Sequence, residues 1–214
     1  MRTGNYRPGG LRTAVAGLVI IALDTLALQA VRMLATVTAA EFIYIGIILF
    51  AWFLILLGTD SIKRLHAAFA RAMICAAVMM AVTFIELMIA YHNYAIELGE
   101  EAFIQFNVML ANYITIMGLF YTYYSMLQGA EVVARIEKAN KLSAKCAGRG
   151  RLCFAGIIAC YVVIPIAGMF DPIVDYILTG VLGITALLLQ LWMCFLLLCV
   201  YDLIKGGKEV EDEV

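Results

Sequence analysis

Arg32 and Glu86 are the residues whose types and settings best suggest chemistry in this chain of 214 residues. Each interrupts a long apolar run. A charge at mid-bilayer costs about 2.5–3.5 kcal/mol on insertion scales, so such residues are default candidates for function. Gln29 and Arg32 share one helical face with Thr25 and Thr36, at i, i+4, i+7 and i+11. Thr83, Glu86 and Asn93 form a similar stripe on a later helix. Gln105 and Asn112 share a face of the next one, with Thr115 close by.

The depths of these residues agree. Arg32, Glu86, Gln29, Gln105 and Asn112 can meet at one level in the outer half of a bundle. Pairing Arg32 with Glu86 would relieve two expensive charges at once. Two roles stay open for this cluster: hydrogen-bonding glue between helices, or a small-solute pocket open to the outside. A third reading has Arg32 alone snorkelling to the outer surface. Asp24 has no basic residue at its depth. A protonated carboxyl donating a hydrogen bond answers that, and a proton-coupled role is the sharper alternative.

The elements that must position these residues follow from composition. The chain is 64% hydrophobic and 14% charged, with net charge −1. Soluble domains are typically about 45–50% apolar and about 25% charged. Too little polar surface remains for a soluble globule, and the bilayer is the solvent that fits. The long unbroken apolar runs argue against an outer-membrane barrel. The expected fold is all-α and polytopic, with six transmembrane helices at about 11–35, 41–58, 69–94, 102–127, 152–170 and 173–201. Residues 1–10 and 206–214 fall outside the helical domain.

Charge sets the expected orientation. Every Lys and Arg except Arg32 lies in the first segment, the second-to-third connection, the fourth-to-fifth connection or the last segment. The positive-inside rule then places both termini in the cytoplasm of a multi-pass cell-membrane protein. Asp24, Gln29 and Arg32 break the first apolar run, which therefore reads as an uncleaved helix. The connection 129–151 reads as a cytoplasmic helical extension. Its basic face carries Arg135, Lys138, Lys141 and Lys145, and its apolar face Val132, Val133, Ile136 and Ala139. Residues 61–71 read as a second short helical continuation.

Asp60, Glu131 and Asp202 are evenly spaced at about 71 residues, and each ends an apolar run. The same step aligns Phe50 with Tyr121 and Trp192, Phe53 with Tyr124 and Phe195, and Ile62 with Val133 and Ile204. Two readings fit. One is three tandem helical hairpins. The other is that any inward-ending helices share interfacial aromatics and inner bases. Mitochondrial carriers also repeat a two-helix unit three times, and the resemblance is architectural only. Their proline–acid–base signature is missing, since Pro165 is followed by Ile166 and Ala167.

Catalytic motifs are absent. There is no C-x-x-C, G-x-S-x-G, H-E-x-x-H or phosphate loop. His66 and His92 should lie on opposite membrane faces, so they share no haem or metal. No cofactor or metal is expected, and an enzyme is disfavoured. The six cysteines fall in the inner half and suit reduced apolar packing. Two functions remain: binding or transport of a small solute, or a non-transporting accessory, assembly, immunity or signalling subunit. The latter would meet a protein partner through the basic cytoplasmic segments. Nothing points to nucleic acid.

Overall fold

The computed structural model describes residues 9–34, 37–96, 101–167 and 172–212, with side chains described at 9–23, 43–89, 114–164 and 173–206. Seven α-helices follow in order: α1 Gly9–Leu34, α2 Val37–Ile62, α3 Ala67–Ile96, α4 Glu101–Ile136, α5 Asn140–Lys145, α6 Arg151–Ala167 and α7 Pro172–Asp212. No strand occurs among the described residues. Among the described residues four stretches are long and apolar enough to cross a membrane: Ile43–Ile62, Ala67–Ile89, Asn140–Ile164 and Ile173–Gly206. Gly9–Leu23, the part of α1 with described side chains, is apolar as well.

The helices pack as a closed ring. α1 packs on α2, α2 on α3, α3 on α4, α4 on α6 and α7, α6 on α7, and α7 returns to α1. Large side chains fill the interior, with Trp52, Phe69, Tyr123 and Met126 fully buried.

The regular step seen in the sequence reappears as a pattern of burial. Phe50, Tyr121 and Trp192 all face outward, as do Phe53, Tyr124 and Phe195. Trp52, Tyr123 and Cys194 are all buried, and so are Ile55, Met126 and Leu197. Ile62, Val133 and Ile204 close the series near the ends of the apolar stretches, again buried. Helices α2, α4 and α7 thus present the same register of faces to the interior.

Two connections differ from expectation. Residues 61–71 do not continue as one helix. A turn closes after Ile62, with the Leu65 N–H on the Ile62 carbonyl at 2.9 Å. The His66 Nδ1 accepts from the Ala68 N–H at 3.1 Å, serving one of the free donors at the start of α3. The extension 129–151 is likewise divided. α4 ends where Lys138 turns to φ 59°, and the Ala139 N–H returns to the Ala134 carbonyl at 2.9 Å. α5 then runs through one π-helical turn, Cys146–Gly150, directly into α6. Ile136, expected on the apolar face, is 64% exposed, because the helix ends before that face can dock.

Backbone contact sets the α1–α2 pair. A Cβ added at Gly17 would lie 2.5 Å from the Ala51 carbonyl oxygen. One at Gly58 would collide with the Ala14 nitrogen and the Gly10 carbonyl. Small residues let two helix backbones meet without side chains between them. Gly58→Ala should therefore destabilise the bundle by about 1–3 kcal/mol. Gly46→Ala, with nothing within 4 Å of its Cβ site, should be neutral or better. Thermal unfolding of the purified protein in detergent compares the two.

Candidate functional site

Glu86 is half-buried on α3, with its carboxylate facing the Thr115 hydroxyl of α4. It lies 19 residues past Ala67, so about 28 Å along the helix from that start. Thr83 sits one turn earlier, fully buried, and its hydroxyl has no hydrogen-bond partner. The structure thus sets Glu86 against Thr115 across the α3–α4 interface, with Thr83 one turn away on α3. Asp24, Gln29 and Arg32 fall on α1, and Gln105 and Asn112 on α4. The side chains of these five lie outside the described residues, and with them the pairing of Arg32 with Glu86.

A second polar group lies deeper, between α4, α6 and α7. The Gln190 Nε2 donates to the Tyr161 hydroxyl at 3.4 Å, while its Oε1 is buried without a partner. The Tyr161 ring meets Phe120 edge-on at 5.5 Å, and Phe154 meets the Phe120 ring at 6.1 Å. Near this level the Tyr123 hydroxyl lies 3.9 Å from the Cys194 thiol. Tyr123 and Cys194 are equivalent positions in the sequence step, and Trp52 is the third. The Trp52 indole N–H is also buried and unpartnered.

The evenly spaced acids play different parts. Asp60 is exposed and pairs with Lys63 at 2.5 Å, one turn away. Asp202 is exposed on α7. Glu131 is buried and takes two arginines, Arg135 Nη2 at 2.7 Å and Arg151 Nη2 at 2.9 Å. The Ser143 hydroxyl donates to the Glu131 carbonyl at 3.2 Å. One residue thus ties α4 to α5 and to the start of α6. Nearby, the Arg71 Nη2 donates to the Gln128 Oε1 at 2.7 Å, and the Phe69 ring packs where Gly129 has no side chain.

The sequence places Arg135 four residues after Glu131, an ordinary helix-surface spacing. It gave no sign of Arg151, twenty residues away, whose arrival depends on the turn at Lys138. All six cysteines are free thiols. Cys75 donates to the Gly118 carbonyl at 3.3 Å, which is a packing role. Among the described residues no group of three His, Cys, Asp or Glu side chains could hold a metal ion.

No family model, no curated protein and no solved structure matches the chain.

The Glu131 clamp supplies a test. Its side chain is 10% exposed, against 56% for Asp60. Both arginines are well exposed, so screening trims the gain. Glu131→Gln should lower stability by about 1 kcal/mol, and Asp60→Asn by less than about 0.5 kcal/mol. Chemical denaturation in the same detergent measures the difference.

Proposed function

We propose that this protein is a six-span cell-membrane protein that binds or transports a small polar solute, with both termini in the cytoplasm. The observation that carries this reading is Glu86. A carboxylate sits far along an apolar helix, half-buried, facing Thr115 and one turn from an unpartnered Thr83. Such a group is expensive in hydrocarbon and is retained where it meets a partner or a solute. Arg32, Gln29, Gln105 and Asn112 belong to the same site in this reading. Asp24 is a candidate for proton coupling.

The ring of helices supports a particular architecture. Intra-hairpin pairs α1–α2, α3–α4 and α6–α7 alternate around it with pairs joining successive hairpins. Three hairpins in tandem would be related by an axis along the membrane normal, as in parallel-repeat transporters. The α5 segment is then an insertion in the second-to-third junction. All described basic side chains group at the end of the bundle opposite Glu86, which supports the inward orientation.

Two experiments test these statements. In the first, thermal shifts are screened against small polar solutes, then repeated on the Arg32→Leu, Glu86→Leu double variant. The solute-dependent shift should vanish while the protein stays folded, and a shift that persists removes the pocket. In the second, single cysteines replace Glu100 or Lys141 in a cysteine-free background. A membrane-impermeant thiol reagent applied to intact cells should label the first and spare the second. The reverse pattern inverts the topology.

A further inference from the structure

The rod formed by α5, the π turn and α6 carries one unbroken exposed stripe. It begins at Lys141 and Lys145, passes the open backbone of Gly148 beside Arg149, and continues as Leu152, Ala155 and Val162. The opposite face, at Ser143, Cys146, Gly150 and Ile157, is buried against the bundle. The stripe therefore changes from cationic to apolar within one turn, between Arg149 and Leu152. Leu152 is 73% exposed. Beside that change stand Arg135 and Arg151, both mostly exposed, with their guanidinium groups fixed by Glu131.

We propose that this stripe binds an anionic phospholipid of the leaflet at the basic end, its phosphate on Lys141, Lys145 and Arg149 and its acyl chain along Leu152, Ala155 and Val162. Charge complementarity selects the headgroup. Continuity selects a lipid over a soluble anion, because the same face that holds the cations runs on without a step into hydrocarbon-facing residues. A flexible Lys on an isolated helix end would snorkel without selectivity. Here Gly148 leaves the backbone open between the cations, and the clamped arginines hold a fixed field at the site. The proposal rests on the bundle spanning a bilayer. Extraction by alkaline carbonate without detergent would sink that reading, whereas an embedded protein with no headgroup preference sinks only this one.

The test uses the full chain in detergent, titrated with phosphatidylglycerol or phosphatidylcholine and followed by thermal shift. Phosphatidylglycerol should stabilise the wild type selectively. Changing Lys141, Lys145 and Arg149 together to Gln should weaken that binding by about 100-fold, with the unliganded midpoint unchanged because all three are exposed. Leu152→Gln should weaken it as well. Equal shifts with both lipids, or undiminished binding by the triple variant, overturn the proposal. So does an equal response to inorganic phosphate or polyglutamate that ignores Leu152→Gln, since the surface would then read soluble anions or an acidic protein.

Discussion

Phe50 turns outward and Trp52 turns inward, and polarity does not tell them apart. The same holds for Tyr121 against Tyr123. The outer surface carries Phe53, Phe84, Met117, Leu188 and Phe195, as apolar as anything in the core. Under that constraint burial of hydrophobic area cannot choose which face packs. Shape and backbone approach must choose instead. The glycine contacts of α1 with α2 answer this directly. Elsewhere the choice falls on residues that admit a neighbour, as Gly129 admits Phe69 and Gly150 admits Leu127.

This explains how much could be read in advance. The helices are strongly legible, because long apolar runs bounded by charge have few alternative structures in a chain this hydrophobic. Their inward faces are not, since a weak contrast of polarity leaves no periodic signal to find. The sequence step through Phe50, Tyr121 and Trp192 coincides with a shared exposure instead. It compares equivalent positions and needs no contrast of polarity. Of the candidate cluster, Glu86, whose pairing with Arg32 lies outside the described residues, was legible as a candidate from type and depth. The partnerless oxygen of Gln190 was not, because satisfaction of a buried polar atom depends on a neighbour from another helix.

The basic end follows a different rule. There polarity contrast returns, and side chains rather than glycines define the contacts. Glu131 is held by Arg135 from its own helix and by Arg151 from a later one, and Arg71 reaches Gln128. These bonds fix where α4 stops and where the next rod begins. Had Ile136 docked as its spacing suggests, α4 would have continued and Arg151 could not have reached the carboxylate. The left-handed turn at Lys138 thus decides the geometry of the whole junction.

The contact between Tyr123 and Cys194 has a geometric meaning of its own. These residues stand 71 positions apart, and their polar atoms lie 3.9 Å from each other. Two points related by a rotation approach closely only near its axis. A three-fold axis beside this pair would bring Trp52 in as its third member, yet among the described residues α2 packs against neither α4 nor α7, so only one of the three approaches is present. In a single-copy ancestor that assembled around such an axis, one side chain would have had to pack against its own images. Fusion of the copies would free each position to diverge, and an indole, a phenol and a thiol would then occupy places that began as one residue.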